Sequence, residues 1–153
     1  MRGILFAFEG IDRTGKSTQA ESLVKTLLER GIDAALIRFP QRETIVGQLI
    51  DQFLKSQVNY EDRMIHMLFV LNRWELKKDI EERLSKGQHV VLDRYSYSGI
   101  AYTSAKGIEV DWCVATEKGL PKPDVVYYLK VSDIKELESR GGYGEERYER
   151  VEF

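Results

Sequence analysis

The segment Ile4-Leu5-Phe6-Ala7-Phe8-Glu9-Gly10-Ile11-Asp12-Arg13-Thr14-Gly15-Lys16-Ser17 decides the fold. Its first five residues form a continuous apolar run, the pattern of a strand covered on both faces. Gly10 to Ser17 then fits G-x-x-x-x-G-K-S/T at every defined position, and Ala20, Leu23, Val24, Leu27 and Leu28 follow at helical spacing. A phosphate chain needs several inward-pointing backbone N–H groups, and glycines let the main chain curl close to it. A helix beginning near Lys16 adds the positive end of its dipole. Lys16 supplies a compact cation for β- and γ-phosphates, and Ser17 a hydroxyl for Mg2+. Strand, loop, lysine, hydroxyl and helix in that order predict a site for ATP or GTP with Mg2+.

Outward from this loop, Gly31 sits where a helix C′ residue belongs, and Ala34 to Phe39 reads as a second strand stopped by Pro40. Val46, Leu49, Ile50, Phe53 and Leu54 mark a second helix. Asn59 is placed to cap a long third helix carrying Ile65, Leu68, Leu71, Trp74 and Ile80, with Gly87 ending it. His89 to Leu92 and Val125 to Leu129 are further apolar strands, and Ser98 to Ala105 a short helix. Ile134 to Glu138 and the charged tail from Glu145 also read as helical. Strands alternating with helices predict βαβ units, hence a parallel sheet with right-handed crossovers.

The chain has 153 residues, enough for one domain with a sizeable core. It is 42% hydrophobic and 31% charged, which excludes collagen-like and disordered classes. The 23 basic and 25 acidic side chains leave a net charge of −2, which argues against a nucleic-acid-binding surface. One cysteine, Cys113, excludes an internal disulfide framework and fits a reducing compartment. The apolar run at the N-terminus is too short for a signal or membrane segment. These features predict a cytoplasmic protein, with the nucleus as a second compartment, bound to no membrane.

Neither asparagine, Asn59 nor Asn72, belongs to the N-K-x-D pattern that reads guanine, so ATP is favoured over GTP. After the third strand comes Asp93-Arg94-Tyr95. A carboxylate at the end of a strand beside the phosphate loop is placed to act on Mg2+, and the adjacent arginine to bridge two phosphates; a plain surface ion pair is the competing reading.

At this point the chain resembles the thymidylate kinases, within the P-loop nucleoside-monophosphate kinases. The resemblance rests on Phe8 to Gln19, Arg38-Phe39-Pro40-Gln41-Arg42, Leu68 to Glu75 with its Asn72-Arg73-Trp74-Glu75, Asp93 to Gly99, Gly119 to Asp124, and Gly144 to Glu149. It covers essentially the whole chain and points to the eukaryotic and poxviral branch. It implies a three-layer α/β/α P-loop NTPase fold with a central parallel sheet, one kinase domain over residues 1–153, and a short glycine-rich lid at about 138–147. The family continues past the lid with a strand and helices that this sequence lacks, as a truncated chain or a shortened homologue would. It further implies Mg2+-dependent transfer of the ATP γ-phosphoryl group to dTMP, giving dTDP and ADP for dTTP biosynthesis, in a homodimer. A catalytically weak nucleotide-binding protein and a kinase for another deoxynucleoside monophosphate are the alternatives.

By position, the resemblance puts ATP on Gly10, Asp12, Arg13, Thr14, Gly15, Lys16, Ser17 and Thr18, with Arg140 against adenine. Arg42 would grip the dTMP phosphate beside Phe39 and Pro40; Phe69 would stack on thymine and Arg73 donate to its O4. Thr103 would face the base, Tyr102 and Tyr148 would crowd the sugar, and Asp12 would accept from the 3′-hydroxyl. Arg94 would touch both phosphates, and Ser17 and Asp93 would serve the metal, leaving Arg13, Lys16, Asp93 and Arg94 as the catalytic set. Arg13 would be an internal arginine finger, because Gly141-Gly142-Tyr143-Gly144 offers no basic residue; an Arg13 turned to solvent is the plainer reading. That glycine stretch is equally a lid or an exposed loop. Core packing is the default for Phe69 until the Asn72-Arg73 block is considered. The family's Phe-Pro turn suggests a cis bond at Pro40, whereas a trans bond is the commoner state. His66 and His89 receive no role.

Overall fold

The computed structural model describes residues 1–130 and 146–149. Among these residues, four parallel strands form one sheet: β1 (Leu5–Glu9), β2 (Ala34–Arg38), β3 (His89–Asp93) and β4 (Val125–Tyr128), in the order β2-β3-β1-β4. Phe6 stands opposite Val91 on one side and Val125 on the other, and Leu36 opposite Val91.

The two-residue alternation of the strands divides the core into two layers. Leu5, Ala7, Ile37, Val90 and Leu92 face Ile80 and Leu84 of α4 (Lys77–Ser85). Phe6, Phe8, Leu36 and Val91 face Ala20, Leu23 and Val24 of α1 (Lys16–Glu29). The apolar runs of the strands are continuous because both faces are covered, so the three-layer arrangement stands as expected. From β1 the chain crosses to one side of the sheet and from β3 to the other. The crevice beyond the carboxyl ends of these neighbours is where such sheets place ligands.

The expected long third helix is instead two helices, α3 (Asp62–Glu75) and α4, broken at Leu76. Leu76 N–H closes a tight turn on the Arg73 carbonyl at 3.2 Å, and its side chain packs into the sheet core. One straight helix could not bury Ile65 and Leu68 against α2 (Ile45–Leu54) and also Ile80 and Leu84 against the sheet. Asn59 is not the cap: the Glu61 carboxylate accepts from Arg63 N and Met64 N at 2.9 and 3.0 Å.

Helix α5 (Ser96–Ser104) begins two residues before the expected start, and α6 (Val110–Thr116), short and weakly patterned, was not expected. The Phe39–Pro40 bond is cis, as the resemblance suggested. In the tail, Arg147–Glu149 form one 3-10 turn. The helix at Ile134 to Glu138, residues 138–145 of the expected lid and Arg140 lie outside the described residues. No described helix is long and apolar enough to cross a membrane.

Candidate active site

Beyond the carboxyl ends of β1 and β3 lies a cavity of about 810 Å³. Of the site residues expected from sequence that are described, all line it except Gly10 and Thr14. Gly10 and Thr14 build the wall from behind: Thr14 Oγ1 donates to the Ile11 carbonyl at 3.0 Å, closing the loop on itself. At Gly10, with φ of 141°, a Cβ would meet the Leu129 carbonyl oxygen at 2.4 Å, so only glycine lets the loop lie against the end of β4. Arg13 also adopts a left-handed backbone, with φ of 65°. Gly15 precedes α1 with φ of 88° and gives no side-chain cap, leaving the first amides of α1 to an anionic ligand.

Lys16 reaches back over this loop and donates to the Ile11 carbonyl at 2.5 Å. Burial lowers its pKa to about 8, with the Arg94 guanidinium acting in the same direction against Asp12, Asp93 and Glu9. At neutral pH the ammonium is still charged, and incompletely solvated.

Arg94 leaves β3 with φ of 65°, a left-handed conformation its neighbours must hold. Its Nη1 donates to the Gly10 carbonyl at 3.1 Å and to Ser98 Oγ at 2.9 Å, and its Nη2 pairs with Asp12. Tyr102 donates to the other Asp12 oxygen at 3.1 Å. Burial works against the Arg94 charge, yet Asp12 and Tyr102 hold its pKa above the ordinary value. Asp93, nearly buried, opens on the same cavity.

Across the cavity, the Phe39-Pro40-Gln41-Arg42 turn is held by fully buried Asn72. Asn72 Oδ1 accepts from Gln41 N at 2.7 Å, and its Nδ2 donates to Gln41 O at 3.1 Å, imitating a strand partner. Arg42 projects from this turn between Asp51 at 2.6 Å and Glu146 at 2.7 Å.

The third wall carries Phe69, Arg73 and Thr103. Arg73 is 3% exposed and binds Glu117 through both Nε, at 3.0 Å, and Nη2. Burial raises the Glu117 pKa, and Arg73 opposes the rise. Tyr102 and Tyr148 stack with centroids 5.0 Å apart, and Lys106 donates to Tyr148 Oη at 2.9 Å. A phosphate loop, a second arginine-bearing turn and an aromatic-and-arginine wall thus share one cavity, the geometry for two phosphorylated ligands end to end.

The family model described as "Thymidylate kinase" matches residues 8–153. This chain belongs to the thymidylate kinase family. It is 50% identical to the thymidylate kinase of Dictyostelium discoideum, over 99% of this chain and 68% of that protein. Against the Arabidopsis thaliana and Homo sapiens thymidylate kinases it is 51% and 45% identical, over 99% of this chain and 57% and 72% of theirs. It also superposes on a Candida albicans thymidylate kinase structure with a TM-score of 0.86 at 41% identity, covering 97% of this chain and 72% of that one.

Several residues of this thymidylate kinase site were not singled out from sequence. Glu9 accepts from Tyr95 N at 2.9 Å and from Ser98 Oγ at 2.5 Å, fixing the turn that carries Arg94. Gly99 leaves room for Arg73, whose Nη2 would stand 2.9 Å from a Cβ there. Arg147 anchors the tail on α2 and the loop after it, through Phe53 O at 3.1 Å, Val58 O at 3.0 Å and Asn59 Oδ1 at 2.7 Å. Asn72 and Glu9 stood inside the quoted motifs, and a buried polar residue in a motif was the available signal. Arg147 also stood inside a quoted stretch, whereas Glu117 and Lys106 carried no signal.

Proposed function

We propose that this protein phosphorylates dTMP, transferring the ATP γ-phosphoryl group to give dTDP and ADP in dTTP biosynthesis. The observation that carries this is the sharing of one cavity by the Gly10–Ser17 loop, the Arg42 turn and the Phe69–Arg73–Thr103 wall. ATP phosphates would lie on the loop amides and Lys16, and the dTMP phosphate at Arg42, with Arg94 between the two. Binding there would exchange the Asp51 and Glu146 contacts of Arg42 for phosphate oxygens. Thymine would lie against Phe69 with its O4 toward Arg73, and the sugar between Asp12 and the Tyr102–Tyr148 stack.

In-line phosphoryl transfer is chiefly positioning and charge neutralisation, and it calls for no protein nucleophile. Lys16, Arg94 and Arg13 would hold the γ-phosphoryl group and take up charge that develops on its oxygens. Asp12 would hold Arg94 and Tyr102 in register, so that the sugar and phosphate contacts are set together.

The donor set fits Mg2+: the Ser17 hydroxyl and Asp93 carboxylate are hard oxygens on the same cavity wall. Two protein oxygens would leave the other positions to water and substrate phosphates, as Mg2+ sites commonly do. When bound, Mg2+ would neutralise charge on the β- and γ-phosphate oxygens.

We also infer a homodimer. Met64, Met67, Leu71 and Trp74 stand exposed along one line of α3, and Val110 and Val114 stand exposed on α6, which contacts α3. An apolar stripe at helical spacing is what a paired helix covers. Sedimentation should give a dimer, and Leu71→Glu a monomer; a monomeric wild type contradicts the inference. A cytoplasmic location accords with buried, unpaired Cys113.

ADP release measured with dTMP, dUMP, dGMP and UMP tests the reaction. Turnover should be highest with dTMP, and equal rates on all four would overturn the reading.

A further inference from the structure

Behind the base wall, His66 is fully buried and bonded at both ring nitrogens. Its Nδ1 lies 2.8 Å from Thr103 Oγ1 and its Nε2 lies 2.8 Å from Thr116 Oγ1. Burial lowers its pKa to about 4, aided by the Arg73 charge and opposed by the Gly99 and Cys113 carbonyls. The ring is therefore neutral at physiological pH, with one N–H and one bare nitrogen.

The neighbouring hydroxyls favour one tautomer. Thr116 Oγ1 donates its one proton to the Cys113 carbonyl at 2.7 Å. With that proton placed there, Thr116 accepts from His66, which assigns the imidazole proton to Nε2. Nδ1 is then an acceptor and takes the one hydroxyl proton of Thr103. Thr103 is 5% exposed and lines the cavity; with its proton on His66 Nδ1, its oxygen keeps lone pairs and has no proton to give.

We propose that His66 is a positioning residue for base selection, holding Thr103 as a hydrogen-bond acceptor beside the donor Arg73. Gly99, against which Arg73 Nη2 rests, and Thr103 are one turn apart on α5, about 5–6 Å between Cβ positions. A donor next to an acceptor matches a carbonyl next to a ring N–H, the imide edge of thymine or uracil. It opposes cytosine, which offers an amino group next to a bare nitrogen. The buried polar partners would be left unpaired by the wrong base, which is how a site rejects an isostere. This rests on the dTMP reading above and adds to it the device that sets the polarity of the contact.

Two measurements test it. Long-range 1H–15N correlation on the intact wild-type protein should show His66 protonated at Nε2 and bare at Nδ1 between pH 6 and 8; an Nδ1–H donating to the Gly99 carbonyl overturns the proposal. This needs no variant and holds even if substitutions at His66 unfold the chain. Calorimetry then compares dTMP with dCMP in wild type, His66→Phe, Thr103→Val and the double variant. His66→Phe frees the Thr103 hydroxyl to rotate, so the preference for dTMP should narrow roughly tenfold, the scale of one neutral hydrogen bond. In the Thr103→Val background the same change should leave the preference unaltered. Equal loss for both nucleotides in His66→Phe would make His66 merely structural and overturn the proposal, while the dTMP reading stands. A wild type that does not bind dTMP overturns that reading, and the proposal with it.

Discussion

Replacing Asn72 by leucine isolates the clamp that holds the acceptor turn. Asn72 is fully buried and makes hydrogen bonds to Gln41 N, Gln41 O, Thr44 Oγ1 and Glu75 Oε2 at 2.7, 3.1, 3.1 and 2.9 Å. Leucine fills much the same volume, so the cavity term is small. The one proton of Thr44 Oγ1 lies between Glu75 Oε2 at 2.7 Å and Gln41 O at 3.2 Å, so only one of these two acceptors keeps a full donor. The Gln41 N–H keeps none, and one buried unpaired group costs about 1–3 kcal/mol, with some loss at Glu75 in addition. Taking about 2–3 kcal/mol, the loop bearing Arg42 would leave its docked position, because the loop is less stable than the sheet core. The dTMP affinity should fall by up to roughly 30- to 150-fold, at about 1.4 kcal/mol per decade. ATP would bind on the opposite wall, and its affinity should stay within about twofold. Calorimetric titration of each nucleotide measures both. Unchanged dTMP affinity, or equal losses for the two nucleotides, would refute the assignment of Asn72 to the acceptor turn.

Other outcomes follow from the same geometry. Gly47→Ala puts a Cβ 1.8 Å from the Gln41 carbonyl oxygen, a backbone clash between α2 and the acceptor turn. Thermal unfolding should drop by roughly 10 °C, as expected for a loss of about 3 kcal/mol or more in a chain of this size; a change under about 2 °C would contradict the packing. Lys16 titrates at about 8, so kcat/KM for ATP should be full below that pH and decline as the ammonium loses its proton above it. A flat profile to pH 9.5 would remove Lys16 from the charge that receives the phosphates. Arg13→Ala should lower kcat about a thousandfold with dTMP affinity nearly unchanged, as loss of an arginine finger does, and an unaltered kcat would assign the finger elsewhere. Arg147→Ala releases the tail from Phe53, Val58 and Asn59, and should raise KM for dTMP about tenfold by freeing Tyr148 from Tyr102. Unchanged KM would show that the tail does not shape the sugar wall.

The parts legible in the sequence are those written locally. The Gly10–Ser17 loop has a fixed spacing because a backbone that cradles phosphate requires one. The strands show as unbroken apolar runs because helices cover both faces of the sheet. The placement of Asp93 and Arg94 followed from their position at the carboxyl end of β3. The break at Leu76 was illegible, since the apolar spacing runs straight through it and only the divergent demands of α2 and the sheet turn the chain. Asn59 looked like a cap as much as Glu61 does, and the choice between them depends on where the loop after α2 can reach. The partners of Arg42, Asp51 and Glu146, come from a helix and the distant tail, so no local pattern joins them. The role of His66 depends on which hydroxyl in a separate helix has already spent its proton.

The central claim is that one cavity brings two phosphates end to end, with a pyrimidine held beside them. A crystal structure with dTMP and a non-hydrolysable ATP analogue tests it most directly. Thymine should lie against Phe69 with its phosphate at Arg42, pointing toward a triphosphate on the Gly10–Ser17 loop. A dTMP molecule bound away from Phe69, or with its phosphate turned from Lys16, would contradict the claim.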